Sequence, residues 1–263
     1  MKISIITISY NSEKTIEETI KSVINQKNEE LEYIIVDGGS RDSTCRIIEK
    51  YIESIDVFIS EKDFGISDAF NKGIKLATGD FIGIVNSDDI LYPNAIKKIK
   101  NICESTQNVD VIFGNIIQFE NRLSDGYIKK PNLNLSKLTY TFLLFHPAMF
   151  ISKDAYKKYG MYSHNYKFAM DYELISKMFL NNAKFKYIDE VISAFREGGV
   201  SQRKMKLTLL EHKIIAKTNG TSETKINLYI FRVYINQMII KIVKKLKIEK
   251  KIRGIINRKI PIN

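Results

Sequence analysis

Cysteine is almost missing from this sequence: Cys45 and Cys103 are the two in 263 residues. Two cysteines build neither a disulfide scaffold nor a four-cysteine zinc site, and such usage suits a reducing cytosol. Proline (4) and glycine (13) are too sparse for a linker or a low-complexity chain. No run of about 18 apolar residues occurs, so no membrane-spanning helix is expected. The opening Met1–Ile6 stretch is strand-like and lacks the apolar core of a signal peptide. No internal repeat is present. No Gly-x-Gly-x-x-Gly follows the first strand-like run, which disfavours a dinucleotide-dependent dehydrogenase.

What is present makes an ordinary globular balance, 44% hydrophobic and 27% charged. The formal net charge of +11 is unevenly placed. Residues 221–263 hold eleven Lys/Arg against two Asp/Glu, a net +9, whereas residues 1–220 carry +2. A nearly neutral body with a basic tail is not a basic stripe laid across a nucleic-acid-binding domain.

The first half alternates strand and helix patterns. Ile3–Ile8, Tyr33–Asp37, Asp56–Ser60 and Phe81–Val85 read as strands. Between them, Ser12 is placed to cap a helix reaching Gln26, a second helix runs to Tyr51, and a third covers Ile66–Ala77. This alternation predicts an α/β fold with a mostly parallel sheet and right-handed crossovers. Further on, Asp110–Phe119 is a strand with an interruption at Gly114-Asn115. Phe168–Leu180 and Met205–Lys217 are helical, Phe185–Phe195 is a strand, and Asn219–Ser222 is a boundary.

In such sheets ligands bind beyond the carboxyl ends of the strands. Three polar clusters fall there: Ser9-Tyr10-Asn11, Asp37-Gly38-Gly39-Ser40 and Asn86-Ser87-Asp88-Asp89. Adjacent carboxylates at Asp88 and Asp89 repel unless a cation or donors compensate. Mg²⁺ or Mn²⁺, held by one or two carboxylates, bridges a diphosphate; a helix cap before Ala95–Ile99 is the competing explanation. Asp37 can accept the N–H of a nucleobase, beside glycines that admit a ligand to the backbone, or it can hold a turn that precedes a helix. In the charged run Ser60–Gly73, Asp68, Asn71 and Lys72 lie within about one helical turn. Lys72 suits a phosphate and Asp68 a nucleotide or a metal-bound water, unless both simply face solvent.

Taken in order, Thr7-Ile8-Ser9-Tyr10-Asn11, Val36–Thr44, Glu61–Gly73, Ala77-Thr78-Gly79-Asp80 and Asn86-Ser87-Asp88-Asp89 resemble family 2 glycosyltransferases over roughly residues 1–200. The resemblance implies a GT-A fold, a nucleotide-sugar donor and inversion at the anomeric carbon. It assigns Thr7, Ser9, Tyr10 and Asp37 to base and ribose, Asp88 to the donor and Asp89 to the metal. Phe70 stands where many family members carry Arg, a departure that bears on the phosphate contacts. An inverting transfer needs a general base. The resemblance points to Asp171 in Phe168–Leu174, with Glu173 in reserve; a plain helix N-terminal carboxylate is the alternative. His146, in the apolar stretch Phe142–Phe150, is assigned to the acceptor, against the reading as a satisfied core histidine. Arg196 or Arg203 is placed to neutralise the leaving group.

The sequence thus reads as a cytoplasmic, metal-dependent (Mn²⁺ or Mg²⁺) glycosyltransferase. Residues 1–220 form its catalytic domain, with 1–100 the nucleotide-binding half and 101–220 the acceptor half. The donor is a nucleoside-diphosphate sugar, with uridine favoured by Tyr10 and Asp37. The acceptor is a hydroxyl of a lipid-linked glycan in surface polysaccharide synthesis. A sugar-phosphate nucleotidyltransferase is one rival, although no Gly-rich basic loop follows the first strand. A non-enzymatic membrane adaptor is the other. Residues 221–263 are expected to form a basic amphipathic tail. Phe231, Ile235, Met238 and Ile242 lie along one side of it, with cations from Arg232 to Lys259, suited to the inner face of an anionic membrane and not to nucleic acid.

Overall fold

The computed structural model describes residues 1–106, 108–199 and 203–245. Strand and helix alternate through β1 (Ile3–Ser9), α1 (Ile16–Ile24), β2 (Leu31–Asp37), α2 (Thr44–Glu49), β3 (Val57–Ser60), α3 (Ile66–Leu76) and β4 (Phe81–Ile84). The chain continues through β5 (Ile90–Leu91), α4 (Ala95–Ser105), β6 (Val111–Phe119), β7 (Tyr127–Lys129), β8 (Met149–Ser152), α5 (Lys153–Tyr159) and α6 (Met170–Leu180). It ends with β9 (Phe185–Arg196), α7 (Met205–Thr218) and α8 (Glu223–Lys245).

Every residue of β2 and almost every residue of β1 is buried, because both strands are covered on both faces. Such strands need no polar alternation, which is the signature of a parallel sheet centre. They pair in parallel, with Ser9 opposite Asp37, and β3 and β4 add in parallel on either side. The full order is β3-β2-β1-β4-β8-β6-β9-β5, with β7 on β6. The expected parallel block is therefore β3-β2-β1-β4, and beyond it the sheet is mixed. β8 runs antiparallel to β4 and β6, β5 antiparallel to β9, and β6 parallel to β9. A four-residue apolar strand such as β8 carries no directional signal in its sequence. The interruption at Gly114-Asn115 appears as a register shift between β6 and β9.

Two apolar layers sandwich the sheet. One contains Ile6, Val36, Phe70, Phe113, Leu174 and Met178, bringing α3 and α6 onto one face. The other contains Ile5, Tyr33, Ile20 and Ile99, bringing α1 and α4 onto the opposite face. At the end of the sheet remote from the polar clusters, buried Glu32 accepts from Ser4 Oγ (2.5 Å) and the Thr78 amide (2.7 Å). Burial alone would raise this carboxyl, but those hydrogen bonds, with Lys2, bring it down to about 2.

Ser12 does not cap α1. Its hydroxyl meets Ser87 Oγ at 2.8 Å and donates to the Tyr10 carbonyl at 3.4 Å, and the helix starts later, at Ile16. The first turns of α8 dock on the body. Ile226 is buried, the Tyr229 ring meets Tyr140 edge-on at 6.0 Å, and the Lys225 ammonium lies 4.4 Å from the Tyr140 ring. Further along, Phe231, Met238 and Ile242 are exposed. Lys247, Lys250, Lys251, Arg253, Arg258 and Lys259, like the side chains of Lys241, Lys244 and Lys245, lie outside the described residues.

Candidate active site

Because β1, β2 and β4 run in one direction, the three polar clusters leave the sheet at one end, where they are tied together. The Asn11 amide donates to Ser40 Oγ (2.8 Å) and the Arg41 amide to Asn11 Oδ1 (2.9 Å). With the Ser12–Ser87 contact, these bonds join all three segments into one rim. β8 runs against β4, so His146–Ala148, which precede it, emerge at the same end as Asn86–Asp89.

Asp37 is fully buried. Its Oδ1 accepts from Ser9 Oγ (2.9 Å) and Ser40 Oγ (2.5 Å), and its Oδ2 from the Gly39 and Ser40 amides (3.0 and 2.8 Å) and Ser60 Oγ (2.8 Å). Burial pushes this carboxyl up, yet the donors outweigh it and hold it below the usual range. Asp37 and Ser9 thus form the rigid base of the turn, and a nucleobase contact from Asp37 requires exchange of one of these donors. Thr7 is buried with its hydroxyl 3.2 Å from Tyr33 Oη, inside the sheet layer.

Sequence reasoning passes over Asp63. A Cβ at Gly38 would lie 2.3 Å from Asp63 Oδ2 and 3.5 Å from the Tyr10 ring. Gly38 is therefore the floor of a niche walled by a carboxylate and an exposed aromatic ring. The available signal was the tight Asp63-Phe64-Gly65 step, where the Gly65 amide donates to Asp63 Oδ1 (2.9 Å) and Gly65 takes φ +111°. Gly38→Ala pushes a flexible carboxylate and not the backbone. The expected result is a roughly tenfold weaker nucleotide affinity, about 1.4 kcal/mol, with an unchanged melting temperature. Calorimetry paired with thermal denaturation checks both halves; a large loss of stability with affinity intact refutes the niche.

Asp68 and Lys72 face one another at 3.2 Å on α3, and Lys72 Nζ also reaches Glu61 at 2.7 Å. Glu61 first, and then Asp68, hold the ammonium above its ordinary pKa against a smaller effect of burial. Lys72 therefore meets a phosphate only by leaving these carboxylates.

Asp88 and Asp89 differ sharply. Asp89 is fully buried; its Oδ1 accepts the Arg196 amide (3.1 Å) and its Oδ2 the Asn86 side-chain amide (3.1 Å). Asp88 is half-buried, and its carboxylate accepts from its own backbone amide. Burial, and for Asp89 also the neighbouring Asp88 charge, lifts both carboxyls above the ordinary range. Arg203 offsets part of this for Asp88, and so, for both carboxyls, does Arg196. Its guanidinium contacts Glu18, donates to the carbonyls of Asp88 (3.2 Å) and Asn121 (3.4 Å), and stacks on Phe119 at 4.5 Å. Arg196 thus braces the Asp88 backbone, and Arg203, the other residue read for the leaving group, is exposed. The donor set fits a hard cation: two adjacent carboxylates whose upward shift the arginines only partly offset. Among the described residues no group of three His, Cys, Asp or Glu could hold a metal by itself.

Behind this rim lies a second group. Phe70, in place of the Arg common in the resembled family, is buried and stacks on His146 at 5.0 Å and on Tyr162 at 4.9 Å. His146 Nε2 meets Tyr162 Oη at 2.9 Å, and burial lowers the imidazole to about 4, so the ring is neutral. Asn71 fixes Tyr162 by donating to its carbonyl (2.8 Å) and accepting its amide (3.0 Å). His146 therefore has a structural partner on Nε2. Asp171 sits in the first turn of α6, with Oδ1 accepting the Tyr172 amide at 2.7 Å. Burial is the main reason its carboxyl rises to about 6. Leu174, three residues on, is buried in the core, and Glu173 is also shifted upward by burial.

Comparison with known proteins agrees with this fold. The chain is 33% identical over 199 residues to chondroitin synthase of Escherichia coli, covering 72% of this chain but 28% of that protein. Staphylococcus aureus TarS 1–349, solved with UDP-GlcNAc, superposes with a TM-score of 0.64 at 22% identity, over 82% of this chain and 66% of that one. Glucosyl-3-phosphoglycerate synthase of Mycobacterium tuberculosis, solved with Mn²⁺, UDP and phosphoglyceric acid, gives 0.61 at 16% identity, over 84% and 80%. At these identities the structures speak for the fold, which is the expected α/β GT-A arrangement. Residues 4–163 match the family described as Glycosyl transferase family 2, and with the ordered rim motifs this establishes that the chain belongs to it.

Proposed function

We propose that this chain transfers a sugar, with inversion, from a nucleoside-diphosphate donor, UDP favoured, to a hydroxyl of a lipid-linked glycan. The observation that carries the reading is the Asp88–Asp89 pair at the rim, where burial and repulsion outweigh the partial offset from Arg196 and Arg203 and so favour a cation. Asp88 is the residue that would hold the metal, with Asp89 shaping the loop beneath it, an exchange of the roles assigned from sequence. A bound Mn²⁺ or Mg²⁺ supplies charge neutralisation of the diphosphate. Tyr10 offers its ring to the base, with Asp63 or Asp37 accepting its N–H. Asp171 removes the proton of the acceptor hydroxyl as that oxygen attacks the anomeric carbon and the nucleoside diphosphate departs. Residues 1–100 serve the nucleotide and 101–220 the acceptor.

The test is a thermal-shift panel of nucleotide sugars with and without Mn²⁺. Saturation at about 100 Kd adds roughly 2.7 kcal/mol, a shift of several degrees. A metal-dependent shift with a UDP-sugar supports the reading. A response to a nucleoside triphosphate and a sugar phosphate instead favours the nucleotidyltransferase.

No helix among the described residues is long and apolar enough to cross a membrane. The exposed Phe231, Met238 and Ile242 on α8, the exposed Leu207, Leu210 and Ile214 on α7, and the basic tail support peripheral binding at the inner face of an anionic membrane. Co-sedimentation with anionic vesicles is expected to be salt-sensitive and to fall at least tenfold in a Phe231→Asp, Met238→Asp variant. Equal binding by that variant removes the helix face from the account.

A further inference from the structure

Asp171 and the helices after it lie beyond the residues matched to the family, so their arrangement must be read from the structure alone. The segment entering α6 presents three consecutive backbone amides, and α6 has no side-chain cap of its own. Amides at a helix start lack intrahelical acceptors. All three end on one carboxylate from α7. The Lys167 amide donates to Glu211 Oε1 at 2.9 Å, and the Phe168 and Ala169 amides donate to Glu211 Oε2 at 2.8 and 2.9 Å. The donor to Oε2 nearest α6, Ala169, is two residues before Asp171.

A second contact supports the same turn. His212 packs its ring on Tyr172 at 4.8 Å, and Ile215 shares a buried cluster with Ala169 and Tyr172. α7 therefore grips the first turn of α6 by a polar clamp at Glu211 and an apolar one at His212 and Ile215. Asp171 accepts the following amide, of Tyr172, on Oδ1, while the amides of residues 167–169 go to Glu211.

We propose that Glu211 is a positioning residue for Asp171: by clamping residues 167–169 it fixes the first turn of α6 and the direction in which Asp171 offers its free oxygen to an acceptor hydroxyl. This rests on Asp171 being the general base. The clamp makes α7 part of the catalytic apparatus, although no residue of α7 needs to touch substrate.

The electrostatics run the same way. Burial is the largest influence on Asp171, and the Glu211 charge adds a smaller upward push. The other groups around Asp171 are Tyr162, whose hydroxyl is raised by burial, the neutral His146 bonded to it, and Glu173 and Tyr166, both raised by burial. Among the groups that shift Asp171, Glu211 is the only carboxylate on another helix.

The test compares Glu211→Gln and Glu211→Ala in the full chain. Turnover, donor KM, the pH profile of turnover and circular dichroism are measured beside Asp171→Asn. Glu211→Ala is expected to lower kcat on the order of 10- to 100-fold with donor KM within about twofold, the range in which slight misplacement of a catalytic group shows. Glu211→Gln keeps shape and one acceptor oxygen but removes the charge. Its acid limb moves to lower pH, because loss of a neighbouring negative charge lets Asp171 ionise more readily. If Glu211→Ala fails to fold, the Gln variant decides. Unchanged kcat and an unmoved limb in folded Glu211 variants, with Asp171→Asn inactive, overturn the positioning role alone. Full transfer by Asp171→Asn overturns the base assignment, and the positioning role falls with it.

Discussion

Asp171→Asn is expected to bind donor as tightly as the parent chain while losing transfer by about 10²- to 10⁴-fold. The substitution keeps size and one acceptor oxygen but removes the group that takes the hydroxyl proton. A base with its pKa near 6 is ionised at neutral pH yet still has useful proton affinity, a balance that suits general-base work. Activity should rise with pH through about 6 and then level, since the ionised form is the working one. The stability sign is opposite. A carboxyl raised on folding disfavours the native state above its folded pKa, so Asp171→Asn should be more stable than the parent at pH 8, and the gain should fade as pH falls below about 6. Urea denaturation at the two pH values measures this. Loss of donor affinity in a folded Asp171→Asn protein would instead make Asp171 a binding residue and turn attention to Glu173.

How much of this was legible in the chain follows from the range of the forces involved. β1, β2 and α3 announce themselves because burial on both faces, or on one helical face, writes a local pattern of Ile, Val and Phe. The rim clusters were found because parallel strands place their successors together. Roles that depend on distant partners left no such trace. Ser12 looked like a cap until Ser87, 75 residues on, proved to be its neighbour. Arg196 looked free until Glu18 and the Asp88 carbonyl engaged it. Thr7 sits in a motif beside the ligand segments, yet strand alternation turns its hydroxyl toward Tyr33. Glu211 reads as one charge on a basic helix, and its clamp on residues 167–169 is a purely tertiary fact. Phe70 was noticed as a departure, and its reason, stacking against His146 and Tyr162, lay about 80 residues away in sequence.

The proposed assignment of the metal to Asp88 and of the loop anchor to Asp89 makes the two substitutions differ. Asp88→Asn is expected to abolish the metal dependence of nucleotide binding and to lower transfer by about 10²-fold or more, with a melting temperature at pH 8 no lower than the parent's, because a carboxyl raised by burial is removed. The Asp88 carbonyl, untouched by the substitution, keeps the Arg196 contact. Asp89→Ala is a different experiment. It deletes the acceptor of the Arg196 amide and of Asn86 in a fully buried position. An orphaned buried donor costs about 1–3 kcal/mol, so this variant should melt several degrees lower. Its activity should fall because the loop that carries Asp88 loses its anchor, yet the part that remains folded should still bind UDP more tightly with Mn²⁺ than without. Titration calorimetry with UDP, with and without Mn²⁺, separates the two substitutions at a temperature where both are folded. If Asp88→Asn keeps the Mn²⁺ enhancement while Asp89→Ala loses it at an unchanged melting temperature, the metal belongs to Asp89, and the buried carboxylate must turn outward to reach it.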